Sequence, residues 1–259
     1  MDRRKIGSLE VSVVGLGCNN FGGRLDDSGT ARVVHAALDA GINFFDTADI
    51  YGGGGRSEEL LGRALGAHRA EILIATKFGM PMDDQRRGAR PEYVRSAAED
   101  SLRRLGTDHI DLYQLHQPDS TVPVADTLGA MNELVVAGKV REIGCSNFSA
   151  QQIRDGEGAS AKAGIRRFVS VQNEYNLLHR DPEVDVLREC ERAKVAFLPF
   201  YPLANGLLSG KYHRGEPAPE GSRLASGPRA AQLTDARLAT VEALRDFAHS
   251  TGHTLLELA

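Results

Sequence analysis

The amino-acid sequence predicts an α/β fold with a parallel sheet and helices outside it. Three observations carry this. Seven short apolar runs recur along the 259 residues, rich in β-branched and aromatic side chains. Segments with helical periodicity alternate with them. No low-complexity linker divides the chain. Continuous rather than alternating apolar runs suit strands buried on both faces, and a βαβα order suits parallel pairing. Two arrangements fit: an open doubly wound sheet and a (β/α)8 barrel of the TIM type.

The strands expected, in order, are 13–16, 42–45, 72–75, 110–115, 140–144, 168–171 and 195–200. Between them the first helix is expected over 30–40, started by Ser28 or Thr30 and stopped by Gly41. The second covers 57–65, where Ser57 before Glu58 and Glu59 reads as an N-terminal signature. The third covers 91–105, with Pro91 in its first turn and Gly106 at its end. Helices over 123–137, 149–162, 182–193 and 235–250 complete the set, and Ser149 reads as a cap. The stretch 209–233, rich in Gly, Pro and Arg, reads as a functional loop over a rigid core.

A doubly wound dinucleotide-binding sheet should carry G-x-G-x-x-G after its first strand. Here Gly15-Leu16-Gly17-Cys18-Asn19-Asn20 lacks the third glycine. The run Gly52–Gly55 is no phosphate loop, because no Gly-Lys-Ser/Thr follows it. Composition narrows the function further. At 41% hydrophobic and 25% charged residues the chain is ordinary for a globular protein. A net charge of -4 and no basic patch argue against nucleic acid as a partner. No apolar run approaches the roughly 20 residues of a membrane span. Cys18, Cys145 and Cys190 are odd in number and widely spaced, so neither a disulfide framework nor a structural zinc site is expected. With no signal-peptide h-region after MDRRKIGSLEVS, a cytoplasmic protein is expected.

Polar residues gather at the strand ends. The second strand runs into Asp46 and, on a glycine-rich loop, Tyr51. The third ends in Lys77, the fourth in His116, the fifth in Ser146-Asn147 and the sixth in Gln172-Asn173. The seventh runs into Phe200-Tyr201-Pro202-Leu203. Singly, each has a bland reading: a turn aspartate, a solvated lysine, a structural histidine, a helix cap. In a parallel barrel, however, all these ends share one rim, where chemistry occurs. An acid, a phenol, an ammonium and an imidazole on successive strand ends are hard to obtain as independent accidents. Together they suit carbonyl reduction. A phenol with a pKa near ~10 is a poor acid at neutral pH. A neighbouring Lys77 ammonium favours the phenolate, Asp46 holds the lysine charged, and His116 bonds the substrate oxygen or relays the proton. The hydride must come from a nicotinamide cofactor. Ser146, Asn147 and Gln172 suit its carboxamide, and Phe200 could stack on its ring.

These stretches resemble the aldo-keto reductases. The matching segments are GLGCNNFGG, GINFFDTADIYGGGGRSEELLGRAL, ILIATKFG, SLRRLGTDHIDLYQLHQPD, LVVAGKVREIGCSNFS, VQNEYNLL and PFYPLANGLLSGKY, in order from about Lys5 to Lys211. The resemblance implies a TIM-type (β/α)8 barrel and NAD(P)H-dependent reduction of aldehydes or ketones, with NADPH expected and NADH as the alternative. It assigns Asp46, Tyr51, Lys77 and His116 to a catalytic tetrad, with Tyr51 as proton donor. Asp46, Ser146, Asn147, Gln172 and Phe200 would border the nicotinamide. Pro202, Leu203 and Leu207 would lie along the pyrophosphate, and Lys211 near an adenosine-side phosphate. No metal is implied, and the partner is a small carbonyl compound. Pocket walls are expected from Asn19, Asn20, Phe21, Tyr51, Phe78, His116 and the 209–233 loop.

The chain ends at HTLLELA, a helix-like segment with no stop signal. Members of the resembled family continue through an eighth strand and helix. Residues 1–259 are therefore expected to form a single barrel domain lacking its last strand and helix, with open edges and a weakened adenosine site. The competing function is a regulatory or cofactor-binding barrel with impaired turnover, resembling potassium-channel β-subunits. A short-chain dehydrogenase would need Tyr-x-x-x-Lys, and no tyrosine here has a lysine four residues on.

Overall fold

The computed structural model describes all residues, Met1–Ala259. Nine strands form two sheets. Strands β1 (Arg3–Ile6) and β2 (Leu9–Ser12) make an antiparallel hairpin. Seven more, β3 (Leu16–Gly17), β4 (Phe44–Asp46), β5 (Leu73–Phe78), β6 (Ile110–Leu115), β7 (Val140–Ser146), β8 (Ser170–Glu174) and β9 (Ala196–Phe200), lie side by side in chain order. The registers from β3 to β8 are parallel. With helices between successive strands this is the TIM-type (β/α) order expected, in seven strands.

Side-chain alternation gives the parallel sheet two faces. One carries Phe44, Ala75 and Leu112, which pack with Ile6, Leu9 and Val11 of the hairpin. The opposite face carries Phe45, Ile74, Tyr113, Leu115, Ile143 and Val171, which meet Val34, Leu61, Val94, Leu102, Leu128 and Ile153 of the helices. The hairpin has no counterpart in the sequence expectation. Its first strand, RRKI, exposes three of four residues and shows no apolar alternation to find. Its turn is held from the sheet, where Glu142 Oε1 accepts the Ser8 N–H at 2.8 Å.

The helices are α1 (Asp27–Asp39), the glycine turn α2 (Tyr51–Gly54), α3 (Arg56–Leu65), α4 (Pro91–Leu105), α5 (Val124–Val136), α6 (Ala150–Ala163), α7 (Val186–Ala193), α8 (Asp235–Ser250) and α9 (Leu255–Leu258). Ser149 caps α6 as expected, in a reciprocal box with Gln152. Four expectations need correction. The first strand is not 13–16: Val13 and Val14 are half exposed, and pairing begins only at Leu16. Helix α1 starts earlier, because Asp26 accepts the Gly29 N–H at 2.7 Å and takes the capping role. Helix α7 starts later, because Asp181–Glu183 forms a separate 3-10 turn. Ser57 is no cap. Its hydroxyl is buried, donating to Cys18 O at 2.8 Å and lying 2.9 Å from Thr47 Oγ1.

The chain packs as two compact units. The first is Met1–Gln172 with Val186–Leu198, and the second is Asn173–Asp185 with Pro199–Ala259. The core of the second joins Ala204, Leu207, Leu208, Tyr212 and Leu224 to Leu238 and Val241 of α8 and Leu255 of α9. The 209–233 stretch is irregular apart from a 3-10 turn at Pro228–Gln232. It is tied down by Leu224, whose side chain is fully buried and whose N–H donates to Tyr212 Oη at 3.3 Å. No helix is long and apolar enough to cross a membrane.

Candidate active site

The site grows from the hairpin-facing side of the parallel sheet in the first unit. Lys77 on β5 pairs in register with Gln114 on β6, Gln114 with Gly144 on β7, and Gly144 with Ser170 on β8. Two residues further along the same faces stand His116, Ser146 and Gln172. One strand to the other side, β4 ends at Asp46. Strand alternation alone therefore brings these side chains to one end of one face.

Beyond Asp46 the chain keeps following β5. The Thr47 N–H donates to Ala75 O at 2.8 Å and the Asp49 N–H to Lys77 O at 3.0 Å. It then turns, with the Tyr51 N–H on Ala48 O at 3.1 Å. Gly52, Gly53, Gly54 and Gly55 all have positive φ, from 72° to 98°. Four left-handed residues in a row would each strain an L side chain, which explains the glycine run. At Gly52 there is no space either, since a Cβ would stand 2.7 Å from Phe21 O. The turn returns the chain at once into α3 and leaves Tyr51 over the strand ends.

Lys77 is fully buried. Its ammonium bonds Asp46 Oδ1, donates to Thr47 O at 2.9 Å and stands 5.2 Å from the centre of the Tyr51 ring. Burial works against its charge, but the Asp46 carboxylate and the Tyr51 hydroxyl outweigh it and hold the Lys77 pKa above the ordinary lysine value. The other oxygen of Asp46 accepts from two amides, Gln114 Nε2 at 3.2 Å and Gln172 Nε2 at 2.9 Å. His116 meets the Tyr51 ring edge-on, with centroids 5.7 Å apart. Burial, then the Lys77 charge, lower its pKa to about 3, so the imidazole is neutral at neutral pH. Its Nδ1 is buried with no protein partner. Ser146 Oγ donates to Gln172 O at 2.7 Å, and Asn147 Nδ2 donates to His116 O at 2.9 Å. Asn147 holds a left-handed φ of 60°, an uncommon conformation that asparagine tolerates and that often marks a working site.

The first unit thus gathers Asp46, Tyr51, Lys77, His116, Ser146, Asn147 and Gln172. The remaining cofactor residues expected from the sequence belong to the second unit. There Phe200 ends β9 and packs edge-on against Tyr201, centroids 5.1 Å apart. Pro202 is exposed and Leu203 half-buried. Leu207 is fully buried in that unit's core, so only its backbone is available to a ligand. Lys211 lies over the Tyr212 ring, 5.5 Å from its centre, and against the left-handed turn at Gly206. Of the expected pocket walls, Phe78 is a correction. It stacks on Tyr113 at 4.7 Å on the helix-facing side of the sheet.

Three residues that the sequence reading passed over stand beside the site. Gln114 is the first. The others form a buried acidic pair behind β5. Glu58 of α3 accepts from Thr76 Oγ1 at 2.5 Å and from Arg104 Nε at 2.6 Å. Asp49 accepts from Tyr93 Oη at 3.1 Å, and its Oδ1 has no partner. Burial first, and the Glu58 charge second, push the Asp49 pKa up to about 7. A signal for Glu58 existed: Ser57, Glu58, Leu61 and Leu65 follow helical spacing on one buried face.

Comparison with known proteins finds both a family and solved relatives. The model described as "Aldo/keto reductase family" matches residues 13–259. The Glycine max protein named "Probable aldo-keto reductase 1" is 38% identical over 229 residues, which cover 85% of this chain and 64% of that protein. The chain therefore spans just under two thirds of that relative's length. Among solved structures, a glycerol dehydrogenase from Gluconobacter oxydans matches with a TM-score of 0.80 and 31% identity, covering 98% of this chain and 80% of that one.

Proposed function

We propose, from the premise that this chain belongs to the aldo/keto reductase family, that it is an NAD(P)H-dependent oxidoreductase which reduces aldehyde or ketone carbonyls to alcohols. The observation that carries the reading is the placement of the Tyr51 phenol beside a buried Lys77–Asp46 pair and a neutral His116.

Each group has a distinct task. Tyr51 gives its proton to the oxygen that becomes an alkoxide. The phenolate it leaves is stabilised by the Lys77 ammonium, a buried charge acting where water cannot screen it. Asp46 keeps that ammonium charged and seated. His116, neutral, donates a hydrogen bond to the substrate oxygen from one ring nitrogen. It is no proton donor at neutral pH, because its pKa has fallen to about 3.

When bound, a reduced nicotinamide supplies the hydride. The residues present suit it: Ser146, the left-handed Asn147 and Gln172 bring hydroxyl and amide groups to one strand-end row, and a carboxamide both donates and accepts. In our assignment Asp46 borders this group. Within the second unit, Phe200, Pro202, Leu203, the Leu207 backbone and Lys211 are the candidates for nucleotide contacts. NADPH is the favoured nucleotide. Three free thiols fit a reducing, cytoplasmic setting.

The test is NADPH and NADH oxidation against a panel of aldehydes and ketones, with hydroxy-aldehydes included because a solved relative is named a glycerol dehydrogenase. Turnover should fall by roughly 100-fold or more in Tyr51→Phe, the weight of a general acid, with cofactor affinity retained. Equal rates for parent and variant would remove Tyr51 from the role. Cofactor binding without turnover of any carbonyl would favour the regulatory barrel instead.

A further inference from the structure

Gln114 has no task in that mechanism, yet its environment is unusual for a core residue. It lies on the hairpin-facing side of β6 between Leu112 and His116, with its side chain fully buried. Its amide faces the Asp46 carboxylate at 3.2 Å. A carboxylate only accepts hydrogen bonds, so the nitrogen must point at Asp46 and the carbonyl oxygen must point away. That oxygen is buried and has no partner.

A buried acceptor without a partner is destabilising, because it gives up its hydrogen bonds to water and gains none in return. An apolar side chain of similar size would avoid the cost, and neighbours on this face, Leu112 and Ala75, are apolar. Room for the amide also depends on a strand glycine. A Cβ on Gly144 would stand 3.2 Å from Gln114 Cγ and 2.3 Å from Ser170 Oγ. Packing alone would favour two apolar residues where the chain keeps a glycine and a half-satisfied amide. Such a local conflict between stability and sequence is characteristic of functional positions.

We propose that Gln114 is a positioning residue: with Gln172 it holds Asp46 Oδ2, so that Oδ1 meets Lys77 and the ammonium stays seated beside Tyr51. The inference rests on the roles given above to Tyr51, Lys77 and Asp46.

The test is Gln114→Leu in the full chain, with Gln114→Met as a second, unbranched variant. Melting temperature, steady-state kinetics and cofactor affinity are measured for both. A positioning role predicts a melting temperature equal to or above the parent's, because the unpaired oxygen is gone. It predicts kcat lower by about tenfold, from a small misplacement of reacting groups, with carbonyl KM and cofactor Kd nearly unchanged. In an Asp46→Ala background, Gln114→Leu should cause no further loss, since the two act through one carboxylate. Unchanged kcat would overturn the proposal. So would a fall in melting temperature in both variants, or a loss that persists undiminished in the Asp46→Ala background. If Tyr51→Phe turns over like the parent, the functional reading fails. If Tyr51→Phe is inactive while Gln114→Leu matches the parent, only this inference fails.

Discussion

Lys77 places its ammonium 5.2 Å from the centre of the Tyr51 ring while its own side chain is entirely out of solvent. A buried ion pair contributes little net stability, but breaking it by removing one partner is costly. Lys77→Met should therefore destabilise the fold by about 3–5 kcal/mol, because Asp46 is left charged with only two amides to satisfy it. Lys77→Met with Asp46→Leu should recover part of that loss. Urea unfolding of the two variants checks it. A double variant no more stable than Lys77→Met would show that the loss is one of packing.

Asp49 and His116 should impose opposite pH slopes on stability. Asp49 titrates near 7 in the fold and near 3.8 when unfolded, so the native state holds the extra proton between those values, and its contribution falls as pH rises. His116 titrates near 3 in the fold and near 6.5 when unfolded. The unfolded state holds the extra proton, and stability falls as pH drops from about 6.5. Each slope is at most about 1.4 kcal/mol per pH unit. Between pH 4 and 6.5 the two should largely cancel. Asp49→Asn should unmask a stability that rises with pH in this window, and His116→Asn one that falls. Unfolding free energies at pH 4, 5 and 6 for parent and variants decide it.

Two helix glycines should respond in opposite directions to alanine. A Cβ on Gly62 of α3 would stand 2.3 Å from Leu105 O, a backbone atom that cannot swing aside. Gly62→Ala should cost about 1–3 kcal/mol or more as α3 and α4 are pushed apart. Gly129 of α5 has nothing within 4 Å of such a Cβ. Gly129→Ala should stabilise by about 0.4–1 kcal/mol, chiefly by restricting the unfolded chain. Melting temperatures that move in the same direction would contradict the packing at one of these sites.

Ser57 tests the difference between a cap and a clamp. Asp is as good an N-cap as Ser, so at a surface cap Ser57→Asp would be nearly neutral. The Ser57 hydroxyl is instead buried between Cys18 O and Thr47 Oγ1. A carboxylate there would face a carbonyl oxygen out of water. Ser57→Asp should be clearly less stable than Ser57→Ala, as measured by urea unfolding.

Much of the fold was legible because apolar runs and their terminators are local signals. Strands 110–115 and 140–144, and the helix over 91–105, needed nothing beyond their own residues. The hairpin was hidden because three of the four residues of Arg3–Ile6 point to solvent, and its apolar contacts come from Phe44, Ala75 and Leu112 far along the chain. Ser57 was misread because its partners, Cys18 and Thr47, are brought to it only by the parallel sheet. At the site, strand-end position and chemical type exposed Asp46, Tyr51, Lys77 and His116. Gln114 escaped although it precedes His116 by two residues and shares its face. A lone amide in an apolar strand carries no chemical label until its partner is seen. Asp49 was hidden in the loop between Asp46 and Tyr51, where an acidic residue reads as turn chemistry.

Thr76 and Lys77 are neighbours on β5 that face opposite ways. One meets Glu58, and through it Arg104 of α4; the other meets Asp46 and Tyr51. A single backbone is thus the common wall of two compartments, one acidic and sealed, the other holding the groups proposed for catalysis. Anything that shifts this strand shifts both. Replacements at Arg104 or Glu58, chosen to harden the helical shell, should therefore register as changes in turnover, although neither side chain faces the reacting groups. In this protein the outer shell and the proposed site are not separate targets for engineering.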